Sequence, residues 1–315
     1  MEENNSAESS PRHVISLNDL KPTEIDLIVN RGLTLQAEGK KSHASLDGKV
    51  MGMLFKEAST RTRTAFMVGT LRLGGQVVSY GPKDLQENTG ETREDTGASL
   101  GGMLDGLVVR TSEPIGVLRQ LATKAQTPII NGMCAEEHPT QALSDLSTLR
   151  QVFGKLEGLR ILYVGTGNNT ASALALACAR IKGVSVEFRT PEGYGLPKSY
   201  FSQAQRFAFY NSATVGEQHH MDDLPERVDV VYTSRWGVPQ TGPDWMKPFF
   251  PFQVNQGLLK KVSGPGTVCM HDLPAQRGYE ITSEVFEGPQ SICLSQAEMK
   301  LYSAMAVLEW CQGCL

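Results

Sequence analysis

Short apolar runs of β-forming residues alternate along this chain with longer stretches whose apolar positions recur at helical spacing. Val50–Phe55, Val77–Tyr80, Gly106–Arg110 and Pro128–Asn131 read as strands, and the intervals near residues 60–73, 90–103 and 114–125 read as helices. A long helical pattern spans Pro139–Phe153. The alternation then restarts, with Arg160–Gly165, Val184–Phe188, Val228–Thr233 and Thr267–His271 as strands and Thr170–Lys182 as a helix. Strands alternating with helices build parallel sheets covered by helices, so the pattern predicts an α/β protein of two doubly wound parallel-sheet domains joined by helices. Residues 1–14 read as a disordered lead-in, 15–150 as a first domain and 151–294 as a second. The last periodic stretch, Ser295–Trp310, follows the second set of strands. Residues 295–311 are therefore expected to pack back onto the first domain. Trp236–Pro251 is the longest segment without periodicity, and a loop of that length either covers a substrate or is a surface excursion.

Composition narrows the partners. A chain of 315 residues, 40% hydrophobic and 20% charged, can bury two ordinary cores. A net charge of -4 gives no basic field for nucleic acid, and no window approaches the apolar length of a membrane span. Met1–Arg12 is polar and acidic without the apolar segment of a signal peptide, so a cytoplasmic location is expected. Cys134, Cys178, Cys269 and Cys293 are scattered, and Cys311 with Cys314 forms a C-x-x-C pair that lacks the further ligands a zinc site needs. A reducing compartment fits, and no metal is expected. His219-His220 beside Asp222-Asp223 reads as a polar surface loop, because adjacent residues seldom converge on one ion.

The densest chemistry lies at Ser59-Thr60-Arg61-Thr62-Arg63, after the apolar run Val50–Phe55 and at the start of a helical pattern. A helix N-terminus offers unpaired N–H groups and the positive end of the helix dipole. Hydroxyl groups and two guanidinium groups on the same turn suit a phosphate. In open α/β sheets ligands bind beyond the carboxyl ends of the strands, where Arg110 stands. His138-Pro139-Thr140-Gln141 opens the long helix, and the i, i+3 spacing puts His138 and Gln141 on one face, able to touch one small planar group.

Together the S-T-R-T-R segment, the strand-end Arg110 and H-P-T-Q resemble the aspartate/ornithine carbamoyltransferase family, from about residue 15 to residue 310. Thr89-Gly90-Glu91-Thr92 with Asp95-Thr96, and Glu287-Gly288-Pro289-Gln290-Ser291 before the last helix, extend the resemblance. It implies an active site between the two domains, a homotrimer or a multiple of trimers, and no cofactor. It further implies that Ser59, Thr60, Arg61 and Thr62 hold the phosphate of carbamoyl phosphate while Arg110, His138 and Gln141 hold its carbamoyl end, with Leu273 and Lys300 at the same subsite. Thr62, Arg110 and His138 would be the catalytic donors to the oxyanion that forms when an amine attacks. Domain closure would align the two substrates, and the departing phosphate would take the proton.

For the acceptor amino acid the expected residues are Asn168, Asn169, Arg235, Asp272 and Leu273, and here the chain departs from both known subfamilies. Thr166 stands where ornithine enzymes usually have Asp. Tyr232–Trp236 lacks their acidic residue, and Arg235 looks like the carboxylate-binding Arg of the aspartate enzymes. Asp272 replaces the Cys of an H-C-L-P segment. A carboxylate beside a phosphate dianion is unfavourable unless a cation lies between them, which points to an acceptor with its own ammonium, such as 2,3-diaminopropionate, with ornithine and aspartate as alternatives. Thr89 occupies the place of a Lys that aspartate enzymes donate from the neighbouring subunit, and Lys300 that of an Arg in ornithine enzymes. A different class also competes. Gly165-Thr166-Gly167 after a strand, with Glu187 about 20 residues on, partly matches a dinucleotide fingerprint and so an NAD-binding oxidoreductase; a non-catalytic binding subunit is a third reading.

Overall fold

Val50–Phe55 forms β1, whose last five residues are all buried, because a strand in a parallel sheet is covered by helices on both faces. The structure, a computed structural model, describes residues 10–86, 89–237 and 244–315. Its first half runs α1 (Pro22–Glu38), β1, α2 (Arg61–Arg72), β2 (Gln76–Tyr80), α3 (Arg93–Gly101), β3 (Gly106–Arg110), α4 (Ile115–Lys124), β4 (Ile129–Met133) and α5 (Pro139–Phe153). The second half runs β5 (Arg160–Val164), α6 (Asn169–Cys178), β6 (Ser185–Arg189), α7 (Lys198–Tyr210), β7 (Thr214–Gln218), β8 (Val228–Thr233), α8 (Gln256–Val262), β9 (Ser263–His271), α9 (Ser283–Phe286) and α10 (Cys293–Cys311).

Two parallel sheets result, ordered β2-β1-β3-β4 and β7-β6-β5-β8-β9. The predicted α/β class of two doubly wound sheets is the observed one. In the first sheet Phe55 pairs with Arg110, and in the second Thr233 pairs with His271, so strands in register deliver their following loops to one edge. That edge carries the site.

The long helix α5 is the wall between the sheets. Pro139 sits in its first turn, where a missing N–H costs nothing, and Gly154 closes it at φ 72, a left-handed conformation that glycine adopts without strain. It packs on α1, α6, α10 and β4, which explains why every residue from Pro139 to Leu149 is buried. One apolar core runs through it, joining Leu143 and Leu146 to Met53 of β1, Ile161 of β5 and Leu308 of α10. Helix α10 returns to pack on α1, α2 and α5.

The disordered lead-in expected over 1–14 does not hold for its described end, residues 10–14. Residues 1–9 lie outside the described residues, but Arg12 already donates to the Leu315 carbonyl (3.1 Å), and the Ile129 N–H donates to His13 Nδ1 (3.0 Å). Fully buried Val14 bridges Ile130 in parallel, because the outer edge of β4 otherwise presents unpaired backbone groups. Within Trp236–Pro251, residues 238–243 lie outside the described residues. Its flanks form an aromatic cluster in which buried Trp236 stacks on buried Phe249 at 5.1 Å. Phe252 is also buried, in a smaller second core, while Phe250 is exposed. No helix among the described residues is long and apolar enough to cross a membrane.

Candidate active site

A cleft of about 770 Å³ opens between the two sheets, lined on one rim by Ser59, Thr60, Arg61, Thr62, Arg110, His138 and Gln141 and on the other by Asn168, Asn169, Arg235, Asp272 and Leu273. Lys300 reaches it from α10. Every residue assigned to the site from sequence therefore lines a single cavity. Glu57, Ser112, Met133 and Thr170 line it too and had been passed over. Met133 and Leu273, at φ 147 and 58, occupy backbone conformations that non-glycine residues rarely adopt and that concentrate where function over-determines geometry.

On the first rim the turn after β1 behaves as its sequence suggests, with one exception. The Ser59 hydroxyl accepts from the Arg63 N–H (3.3 Å), and Thr62 is buried in the first turn of α2. Of the two guanidinium groups only Arg61 lines the cleft, since Arg63 is one residue pair further round the helix and donates to Ser79 on β2 (2.8 Å). Arg110 is half-buried. Its Nη1 makes a long contact with the Gly132 carbonyl (3.5 Å), and its Nε has no partner among the described residues. Burial pulls the pKa of both Arg61 and Arg110 down, and Asp272 opposes this in each case. Both stay cationic, as arginine does in proteins. His138 stands at the start of α5 without a side-chain cap bond, and burial, then the charges of Lys300 and Arg110, push its pKa well below the ordinary value. A neutral imidazole can donate one N–H to a carbonyl oxygen without bringing a charge. Lys300 is brought down to about 8 by burial, against Asp272 and Asp145 and with Arg61 and Arg110 adding to the fall, so it is a cation at neutral pH.

The second rim spends most of its polar groups on the protein. Asn168 Oδ1 accepts from the Thr170 and Ala171 N–H groups (both 3.1 Å), and its Nδ2 donates to Ser234 Oγ (2.8 Å), so this residue caps α6. Asn169 Nδ2 donates to the Cys134 carbonyl (2.8 Å), tying the rims together. Thr166 is buried and donates to the Trp236 carbonyl (2.9 Å), which fixes the segment that ends in Arg235 and Trp236. Exposed Arg235 has no side-chain partner among the described residues. Asp272 accepts from the Thr170 hydroxyl (2.8 Å) and lies 3.4 Å from His271 Nδ1. Burial would raise its pKa, but His271, Lys300 and Thr170 outweigh burial and hold the carboxyl below its ordinary value. The cation that Asp272 needs is thus supplied by the chain itself, and the inference from this residue to an ammonium on the acceptor does not follow.

The dinucleotide reading fails on geometry. The N-terminal N–H groups that a pyrophosphate would use are capped by Asn168, and a Cβ on Gly167 would lie 2.2 Å from the Gly195–Leu196 backbone, so that turn is closed by protein. Glu187 is bound by buried Arg189 (2.6 Å). The same Arg189 holds the carbonyls of His220, Asp222 and Asp223, which organises the exposed His219–Asp223 loop as a surface feature. Among the described residues no group of His, Cys, Asp and Glu is placed to hold a metal ion.

Comparison with known proteins accords with this geometry. Residues 12–151 match the sequence model of the aspartate/ornithine carbamoyltransferase carbamoyl-P binding domain, and residues 157–311 match that of the Asp/Orn binding domain. The chain is 36% identical over 307 residues to an ornithine carbamoyltransferase of Thermococcus kodakarensis, covering 96% of each. It is 37% identical over 305 residues to that of Gloeobacter violaceus, covering 95% of each. The solved structure of the Pyrococcus furiosus ornithine carbamoyltransferase overlays it with a TM-score of 0.92 at 34% identity, over 97% of this chain and 98% of that one.

Proposed function

The chain belongs to the aspartate/ornithine carbamoyltransferase family and is a carbamoyltransferase, and on that premise we propose that its acceptor is an amino acid whose carboxylate docks on Arg235. The observation that carries this reading is the exposed guanidinium of Arg235, without a partner among the described residues, on the rim facing the Ser59–Thr62 cradle. A cation left unpaired in a substrate cleft recruits a carboxylate, bidentate where the approach allows.

In the proposed reaction Ser59, Thr60, Arg61 and the N-terminus of α2 take the phosphate of carbamoyl phosphate, with Lys300 adding charge. The neutral amine attacks the carbamoyl carbon, a C–N bond forms, and negative charge gathers on the carbonyl oxygen. Thr62, Arg110 and neutral His138 donate to that oxygen. Collapse breaks the C–O bond to phosphate, which departs from the arginine cradle and carries away the proton lost by the amine. Each protein group binds, orients or neutralises, and none is asked to exchange a proton. The family resemblance extends the proposal to a cytoplasmic homotrimer or multiple of trimers, which light scattering of the purified chain would check.

Among such amino acids ornithine is the candidate that relatives named ornithine carbamoyltransferase favour, at 36–37% identity over nearly the whole chain. Carbamoyl-phosphate-dependent phosphate release, with mass detection of the product, identifies the acceptor across aspartate, ornithine, 2,3-diaminopropionate and putrescine. Turnover of an amino acid that is weakened by Arg235→Gln supports docking on Arg235. Equal turnover of putrescine, which has no carboxylate, would sink it.

A further inference from the structure

Asp145 does not line the cleft, yet three donors converge on it from three parts of the fold. It is fully buried in the second turn of α5. Its Oδ1 accepts from Gln141 Nε2 (2.8 Å) and from Gln296 Nε2 on α10 (2.7 Å), and its Oδ2 accepts from the Tyr232 hydroxyl of β8 (2.9 Å). Gln296 has no freedom to turn over, because its Oε1 accepts the His271 backbone N–H (2.8 Å), a group that can only donate. With Gln141 Nε2 spent on Asp145, Gln141 Oε1 remains a buried acceptor without a partner among the described residues, on a side chain that forms part of the cleft wall. A buried orphan acceptor in a native structure calls for an explanation.

We propose that Asp145 is a positioning residue that locks the Gln141 amide with its oxygen toward the cleft, so that the site selects a phosphate donor carrying an N–H group beside its carbonyl. The inference rests on the reading of this cleft as the carbamoyl phosphate site. Turned the other way, Gln141 would set its oxygen against the Asp145 carboxylate, acceptor against acceptor. In the locked orientation the carbamoyl NH2 satisfies Oε1. The methyl group of an acetyl phosphate, nearly the same size, leaves it unpaired, and a site built for a hydrogen bond rejects the analogue that lacks it.

The test is calorimetric binding of carbamoyl phosphate and of acetyl phosphate to the full chain. The unmodified protein is expected to favour carbamoyl phosphate by roughly ten- to a hundredfold. Asp145→Ala should bring the two affinities within about threefold, mainly by weakening carbamoyl phosphate. Asp145→Asn should keep the preference, because a carboxamide oxygen still accepts from both glutamine amides while its NH2 faces the Tyr232 hydroxyl. A purely structural role would weaken both ligands alike and leave the ratio unmoved, and that result overturns the proposal, as does loss of the ratio in Asp145→Asn. Should Asp145→Ala fail to fold, as thermal unfolding would show, the unmodified protein and Asp145→Asn still decide: equal binding of the two phosphates by either refutes the inference and leaves the carbamoyltransferase reading standing. Binding of neither phosphate would instead overturn the reading of the cleft itself.

Discussion

On the first rim of the cleft Arg110 Nε and Gln141 Oε1 are buried without partners among the described residues, whereas on the second rim Asn168, Asn169 and Asp272 have already spent their polar groups on Thr170, Ala171, Ser234 and Cys134. In the proposed reaction the first rim takes one small dianionic ligand. The second is a scaffold with one unpaired cation, Arg235. A donor common to a whole family can be met by a fixed constellation, while an acceptor that differs between members is chosen by few side chains. The contrast predicts that mutations on the first rim damage every reaction the protein performs, and that those on the second change which amine is used.

The largest effect is expected at Arg110. Arg110→Ala removes the half-buried guanidinium that the proposed reaction sets beside the developing oxyanion, and kcat/KM should fall by roughly a thousandfold with every acceptor in a steady-state assay. A loss confined to one acceptor would mean that Arg110 belongs to the other rim's work.

Next comes Arg235→Gln. It should raise the acceptor KM about ten- to a hundredfold, the worth of a charge-assisted hydrogen bond, and leave the KM for carbamoyl phosphate within about twofold. Equal changes in both would erase the distinction between the rims.

The same division explains what was legible in the sequence. The strands read from β-branched runs and the helix opened by His138-Pro139 are where the structure has them, because strand period, the proline and helical spacing are local signals. Residues of the first rim declare themselves by type and position at strand ends. Helix α1 carries a readable stripe, Ile25, Ile28, Val29 and Leu35, ahead of the first strand. Strand β7 is different. Thr214–Gln218 has a single buried residue, Val215, as edge strands do, and its place is set by pairing with β6 rather than by its own sequence. The second rim was illegible for a related reason. Asn168 looks like a ligand for an amino acid until the geometry shows it capping α6. Asp272 looks uncompensated until Lys300, 28 positions later, is seen to arrive from α10.

A smaller effect is expected from pH. The Lys300 ammonium, with its pKa brought down to about 8, is present below that value and lost above it, so charge available to the phosphate falls as pH rises. Between pH 7 and pH 9 the kcat/KM for carbamoyl phosphate should drop about tenfold, following the free enzyme's titration. Lys300→Arg should move that limb beyond the range, since arginine does not titrate there. A profile unchanged in Lys300→Arg would assign the limb to another group.

The smallest effect belongs to Asp272, and it bears directly on the acceptor. If this carboxylate served to hold an ammonium on the substrate, Asp272→Asn would penalise ornithine and 2,3-diaminopropionate far more than aspartate. The structure gives the charge another occupation, since Thr170 donates to it at 2.8 Å and Lys300 lies close enough to lower its pKa. Removing the charge should therefore act through Lys300, raising the KM for carbamoyl phosphate a few-fold because the cation is less well held, about the size expected for one lost charge–charge contact in a partly hydrated cleft. The ratio of kcat/KM between cationic and anionic acceptors should stay within about twofold of the unmodified protein. A ratio that swings tenfold toward aspartate would place Asp272 in contact with the acceptor after all, and would make the second rim a selective surface with two charges rather than one.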